Sequence, residues 1–253
     1  MRLHGLRAPS CCAVVAMAVM LFSSVGHADV LNWNTDPAAQ SLSAVIQAGG
    51  ILVGDKLFYF PSDSVQSTTG GTPTTDEIML SGYQSPTGDY GLKFTGYWFA
   101  DAGARVDSNI TFEVSVSSNM SSDYLIKGAS LIMTSSHTVS TNPHANVTIT
   151  ENIYNGFPAI DQSNQIATLY TSSGSKVRTD SQEFANDYRS IWVTKDIGLY
   201  GGDSGEDSES PGATLSAFYQ TFSQTPEPQS LVLLLCAAPG LALYLWRRRR
   251  MRR

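Results

Sequence analysis

The long middle of this 253-residue chain has no cysteine: the three present are Cys11, Cys12 and Cys236, all near the ends. A disulfide framework is therefore excluded from the body, which at roughly 200 residues is long enough to bury a core without one. Positive charge is equally scarce. Between positions 29 and 227 there are eight basic side chains against all 22 acidic ones, a net charge of −14. A body this acidic repels nucleic acid, which is bound by neutralising phosphates. It suits an extracellular space, including one rich in cations. No repeat of fixed period is visible. Helical periodicity is nearly absent too, with only the short "AQSLSAVIQAGG" (39–50) showing it.

What the body does contain is alternation. In "NITFEVSVSS", Ile110, Phe112, Val114 and Val116 fall on one side and Thr111, Glu113, Ser115 and Ser117 on the other, the pattern of a half-buried strand. "NVTITENI" repeats it with Val147, Ile149 and Ile153. "SIWVTKDIGLY", "ATLSAFYQTF", "ILVGDKLFYF", "YGLKFTGYWF" and "YLIKGASLIMT" are further strand candidates. Turn-rich stretches such as "STTGGTPTT", "GYQSPTGDYG" and "TSSGSK" separate them. The expectation is an all-β body over residues 29–224, an antiparallel β-sandwich or a barrel-like relative of it.

Both ends differ from the body. Residues 1–28 have the layout of a secretory signal peptide: Arg2 and Arg7, a 12-residue apolar stretch (11–22), then Gly26 and Ala28 at the −3 and −1 positions of a cut between Ala28 and Asp29. Twelve apolar residues fall well short of the ~20 that span a bilayer. At the other end, residues 230–246 carry no charge and as a helix would reach about 25 Å, enough for a thin bilayer. Trp246 suits the interface, and Arg247, Arg248, Arg249 and Arg250 resist translocation. Pro239 and Gly240 weaken that helix midway, which a permanent anchor would not need. Just before it, Pro226 and Pro228 hold Glu227 in an extended, accessible segment.

Pro226-Glu227-Pro228, an apolar run and an arginine cluster over 247–253 together resemble the PEP-CTERM sorting signal of Gram-negative bacteria. Thr225 stands where valine is usual, Pro239 interrupts the run, and Met251 lies within the basic end. The resemblance implies export by the Sec machinery, transient anchoring in the inner membrane, and processing near the tripeptide by an exosortase. It further implies release at the surface, commonly alongside exopolysaccharide. "VGDKLF", "FADAGARV" and "VTKDI" are similar to stretches in uncharacterised proteins with the same signal, which names no activity.

Candidate chemistry in the body is thin. Gly-Asp-Ser-Gly around Ser204 is similar to a trypsin-like nucleophile loop, but Glu206 and Asp207 would oppose negative charge developing there. Asp203, Glu206, Asp207 and Glu209 make a weak calcium candidate without EF-hand spacing; a solvated loop is the plainer reading. His137 and His144 lack further ligands for zinc. Glu151 shares a face with Val147, Ile149 and Ile153, so a strand end or bulge is expected to release it to water. A buried acid with a partner such as Glu113 is the enzymatic alternative. Trp33, Trp98, Trp192 and Tyr97 are either core or a sugar-stacking platform. Asn109, Asn119 and Asn146 begin Asn-X-Ser/Thr triplets, which a bacterial source leaves unused. The first expectation is an exported non-enzymatic surface or matrix protein without a cofactor or metal. A carbohydrate-binding module comes next, and a polysaccharide-active enzyme last.

Overall fold

A computed structural model describes residues 30–67, 70–118, 120, 124–138, 144–158, 163–174, 177–203 and 212–224, with the backbone alone described over 135–138. The expected signal peptide, the tripeptide, the apolar run and the arginine cluster lie outside these residues. So do Ser204, Glu206, Asp207, Glu209 and Asn119. Among the described residues no helix is long and apolar enough to cross a membrane.

The chain is all-β. Its strands are β1 (Leu31–Asn32), β2 (Gln40–Ser41), β3 (Ile51–Val53), β4 (Lys56–Tyr59), β5 (Val65–Ser67), β6 (Met79–Gln84) and β7 (Tyr90–Ala100). They continue with β8 (Arg105–Val116), β9 (Ile126–Thr138), β10 (Asn146–Tyr154), β11 (Gln165–Ser172), β12 (Thr179–Tyr188), β13 (Ser190–Tyr200) and β14 (Ala213–Gln224). The larger sheet runs β1-β3-β4-β8-β13-β10-β11, with β5 also paired to β8; the smaller runs β12-β9-β14-β7-β6-β2. Apart from the parallel β1–β3 pair, the pairings are antiparallel. This is the expected β-sandwich, open at its edges, rather than a closed barrel.

Each strand named from alternation is present. Ile110, Phe112, Val114 and Val116 all point into the core. Helix α1 (Leu42–Gln47) occupies the stretch with helical period; Ser41 Oγ caps it by accepting from Ala44 N–H at 3.3 Å, and Leu42 and Val45 are buried. Beyond the two- and three-residue β1, β2 and β5, three strands were not legible. β6 overlaps a stretch read as turn-rich. β11 turns Ala167, Leu169 and Thr171 inward, a face too weakly apolar to register. β12 is an edge strand with only Phe184 buried, so its sequence reads as polar throughout.

The core is aromatic between the sheets. Phe58 and Phe112 of the larger sheet meet Phe94, Phe218 and Phe222 of the smaller; Phe94 stacks on Phe218 at 4.7 Å and lies 5.8 Å from Phe112. Each ring fully removed from water contributes about 1.5–3 kcal/mol. At one end, the β3–β4 turn is made by Gly54 at φ +60°, beneath the ring of Tyr90, where a β-carbon would collide.

Candidate functional site

The most unusual arrangement lies between the sheets. Glu151 on β10 and Lys195 on β13 are direct cross-strand partners. Strand alternation turns both inward, and both are fully buried. Gln220 on β14, also fully buried, faces them from the other sheet. Lys195 Nζ donates to Glu151 Oε2 and, at 2.6 Å, to Gln220 Oε1. The rings of Phe112 and Phe218 lie 5.9 and 5.5 Å from Nζ. Burial pushes the Lys195 amine well down and the Glu151 carboxyl up, each only partly opposed by the other's charge. The pair is thus held toward its neutral forms. The Gln220 amide lies close enough to favour the carboxylate slightly. Even so, neither Glu151 Oε1 nor Gln220 Nε2 has a well-aligned hydrogen-bond partner.

This corrects the expectation that Glu151 reaches water. The β10 ladder is regular through Glu151 and shifts only at Ile153/Tyr154, too late to turn the side chain out. Glu113 is no partner for it: Glu113 lies on the outer face of the same sheet, half-buried beside Tyr59 and Trp192 in the ladder. The paired acids of the enzymatic alternative are not brought together. Sequence reading placed Glu151 on an apolar face but missed Lys195 and Gln220. Lys195 sits between Val193 and Ile197 and Gln220 between Phe218 and Phe222, each on the inward parity, and that was the available signal.

The aromatic quartet does not form a platform. Trp98 is fully buried against Phe218. Trp33 covers Gly82 and donates its indole N–H to the Pro37 carbonyl at 3.1 Å, closing the edge of the sandwich. Trp192 packs edge-on with Tyr59 and Phe157, at 89° and 75°, on the larger sheet's outer face. Tyr97 is separate, 64% exposed on the smaller sheet. There its ring lies nearly parallel (12°) to that of Phe99, a residue not singled out from sequence. Together with Gly71, Pro73 and Met79 they line a mainly apolar groove of about 510 Å³.

Of the acidic loop, Asp203 is described. It is exposed, accepts from the Tyr200 hydroxyl at 2.8 Å, and lies 3.6 Å from His144 Nε2. Among the described residues no three His, Cys, Asp or Glu side chains converge as metal ligands. His137 lies in β9 opposite Thr214. Nearby, Asp196 hydrogen-bonds Asp107 on the outer face of the larger sheet. Partial burial and that second carboxyl raise the Asp196 carboxyl from 3.8 to about 6. Asn109 Oδ1 accepts from the Thr111 hydroxyl of its own triplet. Asn146 Oδ1 accepts from Ser172, Ser173 and Gly174 and so pins the turn after β11.

A pocket of about 610 Å³ at the Gly54 end is lined by Asn34, Asp55, Lys56, Asp89, Tyr90 and Gln224, among others. Lys56 is buried there with its Nζ 3.0 Å from Asp55. Burial lowers its affinity for a proton despite Asp55.

No family model matches the chain, and no curated protein does. Among solved structures, it is similar to a glycosylation-associated protein complex from Streptococcus agalactiae (10% identity over 69% of this chain and 27% of that one, TM-score 0.30). It is also similar to CBM51-2, in complex with GlcNAc, and INT domains from Clostridium perfringens ZmpB (11% over 65% and 29%, TM-score 0.23). A third is a Clostridium perfringens CBM32 in complex with GlcNAc-alpha-1,4-galactose (12% over 63% and 88%, TM-score 0.24). The chain thus spans under a third of the first two. The likeness is too slight to carry a ligand across.

Proposed function

We propose that the chain is an exported, non-enzymatic surface or matrix protein, carried to the membrane by a signal peptide and delivered by an exosortase that acts at Pro226-Glu227-Pro228. The carrying observation is the position of β14. This strand lies inside the smaller sheet, flanked by β9 and β7, and it ends at Gln224. Two residues later the tripeptide begins. Cutting there leaves every described strand whole. The body's strong negative charge opposes aggregation with like copies once outside. The experiment is mass spectrometry of the mature protein from cells with active sorting machinery. The wild type is expected to have lost residues 1–28 and the arginine cluster, and Glu227→Ala to retain the cluster. An intact arginine end on wild-type protein at its final location would reduce the segment to an ordinary anchor.

A second reading, that the body holds polysaccharide, is favoured by the Tyr97–Phe99 groove. Parallel rings beside an open apolar cleft offer a face on which a sugar ring can stack. The Trp192 cluster turns its rings edge-on and offers less.

A further inference from the structure

We infer that Lys195 and Gln220 become joined by an intramolecular amide bond that staples the two sheets together, with Glu151 carrying the proton. The inference concerns the interior of the sandwich and does not depend on how the protein is delivered. Three groups are needed for such a transamidation, and all three are in place.

The nucleophile is the Lys195 amine. In water it would be protonated and inert; at this fully buried position between Phe112 and Phe218, desolvation favours the free amine. The electrophile is the side-chain amide carbon of Gln220. Its carbonyl oxygen lies 2.6 Å from Nζ, so the carbon is at most about 3.8 Å away, given a C=O bond of about 1.23 Å. That bound is just outside the about 3–3.5 Å at which reacting atoms meet, so a small shift of either side chain carries Nζ from the oxygen to the carbon. The proton carrier is Glu151, in contact with Nζ through Oε2 and close to the Gln220 amide. Gln220 Nε2, the group that must depart, has no well-aligned hydrogen bond to hold it.

The step balances without an oxidant or a cofactor. The Nζ lone pair attacks Cδ of Gln220 and a C–N bond forms. Glu151, itself protonated, gives its proton to Nε2 and takes one from Nζ in return. The bond from Cδ to Nε2 breaks, and ammonia leaves. The product is a neutral secondary amide where a buried amine and carboxamide stood, with the Glu151 acid regenerated beside it. A body without cysteine thereby gains a covalent tie between its sheets, from β13 to β14, that an oxidising exterior could not otherwise supply.

Peptide mapping of the purified full chain tests this. No lysine or arginine lies between Lys195 and Gln220, whereas Glu206 and Glu209 do. Digestion with trypsin and a glutamyl protease is therefore expected to yield one branched species. It joins the peptide beginning at Ser190 to the one containing Gln220, is lighter by one ammonia, and shows no cut after Lys195. Glu151→Met and Gln220→Met are each expected to restore the cut and the full mass. Should either variant fail to fold, the wild-type map alone decides. Recovery of the unmodified 190–195 peptide as the main wild-type species would overturn the inference. So would a species linked to Glu151 and lighter by one water.

Discussion

Replacing Lys195 with methionine removes a fully buried amine and keeps most of its volume. Two costs follow. If the tie to Gln220 forms, it closes a loop of 25 residues; restricting the unfolded chain by that much is worth about 3.5 kcal/mol. The substitution also strips Glu151 Oε2 of the N–H it faces and leaves the Gln220 carboxamide buried without that partner inside a dry core. Because Glu151 is pushed toward its neutral form, the penalty is that of orphaned polar groups, about 1–3 kcal/mol, rather than that of a bare charge. The single variant should therefore lose about 4.5–6.5 kcal/mol, much of the about 5–15 kcal/mol that holds a domain folded. A triple variant, Lys195→Met with Glu151→Met and Gln220→Leu, leaves no orphan and should recover the second cost only, staying about 3.5 kcal/mol below wild type. Equilibrium urea unfolding followed by tryptophan fluorescence measures all three, with the buried Trp98 as reporter. A single variant within about 1 kcal/mol of wild type would refute both the buried network and the tie. A triple variant as stable as wild type would refute the tie alone.

Two further outcomes test the outer faces. Asp196 holds its proton up to about pH 6 in the folded protein against an ordinary value of 3.8; the stability it contributes is thus full below pH 4 and lost as pH rises through 6. Discounted for its exposure, the loss is about 1 kcal/mol, so Asp196→Asn should melt about 2–4 °C higher at pH 7.5 and unchanged near pH 3.5; equal gains at both pH values would contradict the paired-carboxyl account. On the smaller sheet, Tyr97→Ala should lose most of its retardation in native gels cast with the producing cells' exopolysaccharide, whereas Trp192→Ala keeps it, with Tyr97→Ala within about 0.5 kcal/mol of wild-type stability. Unchanged retardation of Tyr97→Ala removes the groove as a sugar site.

Strand content was legible because each long strand carries its own alternation. Ile110 to Val116 needs no distant partner to announce a half-buried face, and the period of "AQSLSAVIQAGG" marks helix α1. Where local pattern was weak, reading failed. β12 borders solvent, so Asp180, Gln182 and Asp187 need no apolar counterpart. Trp98 and Tyr97 adjoin in sequence, yet one is core and the other exposed, because β7 turns them to opposite faces.

By itself the sequence determined a cysteine-free, acidic, sheet-rich body, since composition and period-two patterning are local properties of the chain. It also placed Glu151 on an apolar face, and the same inward parity was there to be read for Lys195 and Gln220. Only the tertiary structure decided that the three meet. Cross-strand register set Glu151 against Lys195, and the stacking of one sheet on the other brought Gln220 to them. Register and stacking both depend on how all the side chains fill the space between the sheets.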